Sequence, residues 1–196
     1  MCLSLLFVCS FANCKIRNSG YIFVTNQGED SLYVFNLFSK RKLIKKINVG
    51  AAPAGIALSR KKNKVFVTNT KGSSISVVDV NKLEVVDTIL IDGSAVGVEV
   101  SIDEEELFVS DWFNNELIVI NIDNLEIIKK IRVGDAPAGV AVSKNEKIYV
   151  VNRDSNSISV ISNKKKEVID EISAGDHPFG ARLNLDEKLL FVTNVQ

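Results

Sequence analysis

The sequence predicts an all-β protein assembled from repeated four-stranded antiparallel sheets, and three recurring features predict it. An aromatic-led tetrad appears as FVTN (23–26), FVTN (66–69), FVSD (108–111), YVVN (149–152) and FVTN (191–194), at spacings of 43, 42, 41 and 42 residues. A glycine-proline unit recurs between tetrads, at Gly50-Ala-Ala-Pro53-Ala-Gly55, Gly134-Asp-Ala-Pro137-Ala-Gly139 and Gly175-Asp-His-Pro178-Phe-Gly180. The remaining copy, Asp92-Gly-Ser-Ala-Val-Gly97, lacks the proline. A third unit follows each tetrad: DSLYVFN from Asp30, SSISVVD from Ser73, NELIVIN from Asn115 and NSISVIS from Asn156. Three motifs in fixed order at one period are the signature of a repeat architecture.

Each period divides into four strands. From Gly139 they read GVAVS (139–143), KIYVVN (147–152), SISVIS (157–162) and EVIDEIS (167–173), separated by polar turns. Short strands joined by turns of three to five residues form an antiparallel meander. Four strands in about 40–50 residues make one blade of a β-propeller. Stretches such as 117–120 (LIVI) and Val77-Val78 are apolar on both faces, as expected of a sheet packed between two others. The first strand of each repeat is small (Gly55 and Ala57, Gly97, Gly139 and Ala141, Gly180 and Ala181), which suits the crowded centre. No apolar period of 3.6 runs over a useful length, so a helical solenoid is disfavoured.

The blades fall at about 20–49, 55–91, 97–133 and 139–173, with a partial blade at 180–196. This gives about four and a quarter blades. We therefore expect an incomplete propeller, either part of a longer one or a chain whose open strands pair with another chain.

The tetrads and the Gly-Asp-x-Pro-x-Gly loops resemble the repeats of the YVTN family over roughly residues 19–196. The resemblance implies a propeller of seven blades and a binding or surface role. Some exported relatives are linked to nucleic acid, and related propellers occur in redox enzymes and lactonases. The repeat motifs are structural, so they specify fold and not ligand.

The charges cancel, 24 basic against 24 acidic, which gives no electrostatic case for duplex nucleic acid as partner. Cys2, Cys9 and Cys14 are the only cysteines, so the body of the chain holds neither an internal disulfide nor a thiolate metal site. Residues 1–12 (MCLSLLFVCSFA) are uncharged and apolar. They are too short to span a bilayer and match the apolar core of a secretory signal. We expect 1–14 to be a signal peptide or lipoprotein signal and the protein to be exported to the periplasm or cell envelope. Ser10-Phe11-Ala12 fits a cleavage site, whereas Phe11-Ala12-Asn13-Cys14 resembles a relaxed lipobox with Cys14 as the lipidated residue. Such a lipid would be the sole membrane contact. A short buried N-terminal strand is the structural alternative.

The turns after the tetrads and the glycine-proline loops are predicted to share one face, where loops on a rigid scaffold bind ligands. Residues that break the repeat there are the candidates. Trp112 and Phe113 replace Gln27-Gly28, Thr70-Lys71 and Arg153-Asp154 of the other repeats, and adjacent aromatics suit a ligand or partner. Arg153, His177 and Phe179 lie on the same predicted face. Glu99 and Arg182 stand where Ala57 and Ala141 stand elsewhere, which would bring charge to a polar channel mouth. Each has a bland alternative: packing over a neighbour for Trp112, solvation for the others. His177 is the only histidine, so a His-rich metal site is excluded, and no metal or cofactor is expected. There is no G-x-S-x-G, H-E-x-x-H or phosphate loop. Arg60-Lys61-Lys62 and Lys164-Lys165-Lys166 read as solvated turns. The expected function is non-catalytic binding of a protein, glycan or other ligand. A lactonase- or lyase-type enzyme and a single-stranded nucleic-acid binder using Trp112, Phe113, Lys71 and Arg153 are the rivals.

Overall fold

A computed structural model describes residues 8–9, 20–38 and 42–195. Cys14, the lipidation candidate, and most of the leader lie outside the described residues. Among the described residues eighteen strands run in chain order: β1 (Val8–Cys9), β2 (Tyr21–Asn26), β3 (Ser31–Asn36), β4 (Leu43–Asn48), β5 (Pro53–Ser59), β6 (Lys64–Asn69), β7 (Ser74–Asp79), β8 (Glu84–Leu90), β9 (Ala95–Val100), β10 (Glu106–Asp111), β11 (Glu116–Asn121), β12 (Ile127–Arg132), β13 (Pro137–Val142), β14 (Lys147–Asn152), β15 (Ser157–Ser162), β16 (Glu167–Ser173), β17 (Pro178–Leu183) and β18 (Leu190–Asn194). The only regular helix among the described residues is the 3-10 turn Gln27–Glu29.

Every sheet is an antiparallel meander. Four contain four strands (β1–β4, β5–β8, β9–β12 and β13–β16), and β17–β18 form a pair. None closes on itself. The expected bladed all-β fold is thus observed, with β14, β15 and β16 at the predicted bounds. The chain divides into two compact units, residues 1–91 and 92–196.

Burial explains why these residues form strands. In the sheets β5–β8, β9–β12 and β13–β16 the second and third strands are buried on both faces: Phe66, Phe108, Leu117, Ile118, Val119 and Ile120 have no exposed surface. β-branched side chains fill such two-sided sheets well. In the first unit Phe23, Leu32, Val34, Ile56 and Val67 share one cluster. In the second, Phe108, Leu117, Val119, Val140, Ile148 and Val150 share another. The fourth strands face water: β4 buries Ile47, β8 Ile89 and β12 Ile131, while β16 buries none.

One expectation needs correction. The first strand of a repeat begins at the proline, two residues before the predicted glycine. Pro53 pairs with Asn69 and Pro137 with Asn152, and a register shift follows each before the regular ladder resumes. Proline suits the first position because it has no N–H to leave unpaired, and the glycine lies within the irregularity.

Candidate functional site

The site is assembled from the two kinds of loop that the repeat brings together. Within the second unit Trp112 N–H donates to the Ser94 carbonyl (2.9 Å), Arg153 N–H to Ala136 (3.0 Å), Asp154 N–H to Asp135 (3.2 Å) and Val195 N–H to His177 (2.9 Å). Each turn after a tetrad is therefore tied to the loop entering its own blade. The turns at the other end bond one another, as Asn163 N–H does to Glu146 (2.8 Å). The predicted sharing of one face holds in this unit.

A recurring left-handed residue shapes these loops. Ala52, Ala136 and His177 precede the prolines with φ of 52°, 49° and 47°, and Asp30, Asn115 and Asn156 close the turns with φ of 48°, 55° and 52°. The two positions bond across successive blades. The Oδ1 atoms of Asp30, Asn115 and Asn156 accept from the N–H of Ala52 (2.8 Å), Ala136 (2.9 Å) and His177 (2.8 Å). Asn, Asp and His tolerate this backbone region best among non-glycine residues. His177, exposed, thus occupies a position set by backbone geometry.

Three blades meet at Trp112. Its ring lies 6.3 Å from that of Phe179, tilted by 53°. The Arg153 guanidinium sits 5.9 Å above the Trp112 ring centre and bonds Asp154 at 2.5 Å. Trp112 and Arg153 are half-buried, Phe179 is 38% exposed and Phe113 is 74% exposed. Trp112 therefore does pack over its neighbours, yet leaves aromatic surface open beside Phe113. A guanidinium over an indole face is attractive at about 0.5–1 kcal/mol when exposed. The sequence placed these residues on one face. Their contact follows from the register, which gives Trp112 and Arg153 equivalent positions in successive blades.

The Trp112 turn departs from the repeat below as well. Asn69 and Asn152 end their tetrads buried, each amide donating to two serines: Ser74 (3.1 Å) and Ser76 (3.0 Å), and Ser157 (3.1 Å) and Ser159 (2.9 Å). Asp111 replaces that asparagine and instead accepts from Ser94 N–H (2.9 Å) and Asn114 Nδ2 (2.8 Å). Asn114 Nδ2 also donates to the Asp92 carbonyl. Gly93 makes this possible, because a Cβ there would lie 1.9 Å from Asp111 Oδ2. The sequence reading missed this exchange. Its visible signal was the joint loss of proline and asparagine in one repeat.

Glu99 and Arg182 do occupy equivalent positions, paired with Phe108 and Phe191 as Ala57 pairs with Phe66. Glu99 is half-buried and Arg182 exposed. Burial pushes the Glu99 carboxyl above its ordinary value, while the Val100 N–H and the Arg182 charge pull it back. The two do not adjoin the Trp112 stack by any ring contact or hydrogen bond described above. Among the described residues no three His, Cys, Asp or Glu side chains gather so as to hold a metal ion, and no helix is long and apolar enough to cross a membrane.

A family described as YNCE-like beta-propeller matches residues 14–147. No curated protein matches the chain. Kuenenia stuttgartiensis hydrazine synthase superposes with a TM-score of 0.79 at 20% identity, covering 88% of this chain and 51% of that one. A functionally unknown protein from Desulfotomaculum acetoxidans DSM 771 gives 0.79 at 14% identity, covering 99% and 64%. U3-55K gives 0.75 at 11%, covering 83% and 51%. At these identities the likeness concerns the fold alone. The chain spans about half to two thirds of the length of these structures.

Proposed function

The chain belongs to the YNCE-like β-propeller family, and on that scaffold we propose a non-catalytic binding module that takes a protein or glycan ligand on its loop face. The observation that carries this reading is the Trp112–Phe179–Arg153 stack, built from three successive blades with Phe113 74% exposed on the same turn. Rigid aromatic surface with a guanidinium over one of its rings is anchor chemistry of the kind found at binding surfaces. It suits the apolar face of a sugar ring or an aromatic side chain of a protein.

Trp112 is the only tryptophan, so its fluorescence reports on the site. Titration with chitotetraose and with aromatic hexapeptides should shift the emission with one class, and Trp112→Ala or Phe113→Ala should abolish binding measured by calorimetry. Lys164→Ala, in a turn at the opposite end, should leave binding unchanged. No response to either class, or a response only to oligo-dT, would overturn the reading in favour of no site or of base stacking. A stoichiometric metal surviving gel filtration would instead revive the enzymatic alternative.

We further propose export, supported by the uncharged apolar run at 1–12 and by Cys14 at its end. Fractionation with and without globomycin tests it. A wholly cytosolic, unprocessed chain would end the envelope assignment.

A further inference from the structure

The first compact unit holds a cavity of its own, between the sheets β1–β4 and β5–β8. Its volume is about 290 Å³, and it opens to the surface. Ser74 and Ser76 of β7 form its floor and are 5% and 3% exposed. Asn48 of β4 and Thr88 of β8 form its rim and are exposed, and Val49 and Val85 form its sides. Both bordering sheets carry four strands.

The floor offers protons. Asn69 Nδ2 donates to Ser74 Oγ (3.1 Å) and to Ser76 Oγ (3.0 Å), and Gly50 N–H donates to Ser76 Oγ (3.3 Å). A hydroxyl has two lone pairs and one proton. Ser76 has used both lone pairs, so its remaining bond is the one it can donate, and Ser74 keeps a proton as well. Among the described residues neither proton meets an acceptor. Buried polar groups are paired as a rule, so the floor calls for an oxygen from outside the chain. None of the residues that line the cavity is charged, and a charged ligand would give up hydration there without a counter-charge.

The repeats set this rim apart. Asn152 holds Ser157 and Ser159 just as Asn69 holds Ser74 and Ser76, so the serine floor belongs to the repeat. The rim does not. Ser76 pairs with Thr88, but Ser159 pairs with Glu171. Ser31 pairs with Asn48, but Glu116 pairs with Arg132. Two charges thus take the places of Asn48 and Thr88 in the second unit.

We infer that the cavity between the first two blades binds one neutral sugar ring, as a free hexose or as the end of a glycan. Ring hydroxyls accept from Ser74 and Ser76 and exchange hydrogen bonds with Asn48 and Thr88, while Val49 and Val85 meet the C–H face. A volume near the lower end of ligand pockets, about 300–1,000 Å³, suits a single ring. The site is independent of the Trp112 stack, which belongs to the other unit.

The test is an amide NMR titration of the full chain with D-glucose, D-galactose and D-mannose and with their methyl α-glycosides. At least one should give saturating shifts at Gly50, Ser74, Ser76 and Thr88. Tighter binding of the glycoside assigns the end of a glycan, and tighter binding of the free sugar assigns the hexose. The uronic acid of the sugar that binds should bind at least about tenfold more weakly. Ser76→Ala should weaken binding about fivefold to tenfold, the loss of one or two hydrogen bonds. Asn48→Arg with Thr88→Glu installs the charges of the other unit at exposed positions and should abolish the shifts, which keeps the test decisive if Ser76→Ala misfolds. Absence of saturating shifts with all of these sugars means a cavity that holds water only and overturns the inference. Equal binding of the uronic acid, or binding that survives the double variant, overturns it as well. So do shifts that arise with N-acetylthreonine amide and with no sugar, which would assign a protein side chain. Tryptophan emission should stay constant throughout. A sugar response that Trp112→Ala removes would place the sugar on the Trp112 face and not here.

Discussion

At the scale of single residues, the glycines of the first strands are set by the approach of the next blade. A Cβ on Gly97 would lie 2.0 Å from the Ala138 carbonyl oxygen, and one on Gly139 would lie 2.7 Å from that of Phe179. Both obstacles are backbone, which cannot swing aside as a side chain can. Gly97→Ala should therefore destabilise the protein by about 1–3 kcal/mol, the usual cost of overpacking. Gly28→Ala meets only Asn26 Oδ1 at 3.6 Å and should change stability by less than about 0.5 kcal/mol. Denaturant midpoints of the two variants check this, and equal losses would refute it. Glu99 adds a pH dependence. Its folded pKa is raised by burial above the ordinary 4.5, so the folded state binds the proton more tightly than the unfolded chain. The resulting stability is fully present below 4.5 and is lost as pH rises through the folded value. Glu99→Gln should accordingly unfold at higher denaturant than the wild type at pH 7, and the two midpoints should converge towards pH 4. A difference that grows on acidification would show the sign to be wrong.

At the scale of the element, the blade is closed by short-range devices repeated at one period. The turn residues Asp30, Asn115 and Asn156 adopt left-handed backbone and cap the N–H of the left-handed residue in the next loop. Asn156→Ala should lose both the backbone preference and the 2.8 Å bond to His177 N–H, at a cost of about 1–2 kcal/mol. Asn156→Gly should recover the backbone share but not the bond, and an alanine variant as stable as the wild type would remove the cap from the account. Much of this element was legible. The bounds of β14 to β16 could be read because polar turns flank uninterrupted β-branched runs. The start of β13 could not, since a proline followed by a glycine reads as a loop until the ladder pairs Pro137 with Asn152. The left-handed role of His177 was hidden for the same reason: its counterparts are Ala52 and Ala136, which carry no sign of backbone geometry. Trp112, Arg153 and Phe179 were found as breaks in a pattern, but their stacking depends on how blades are staggered, which periodicity does not encode.

At the scale of the whole molecule, the repeats distribute burial unevenly within each unit, and that sets where the chain opens. The second and third strands, β6 and β7, β10 and β11, and β14 and β15, are buried nearly throughout. β16 buries no residue and β12 only Ile131, although both pair with their inner neighbours along most of their length, with one register shift each. Of β17 and β18 only Pro178 is buried. Opening a segment costs chiefly the apolar surface it exposes, so strands with little buried surface separate at low free energy while the core waits for global unfolding. Native-state hydrogen exchange should show this as a gradient across every blade. Amides of β10, β11, β14 and β15 should exchange at least about a hundredfold more slowly than the outermost amides of β16 and β18, a gap of about 2.8 kcal/mol or more in opening free energy. Uniform protection from β13 through β18 would mean that the half-buried pair opens only with the core, and the ranking by burial would fail.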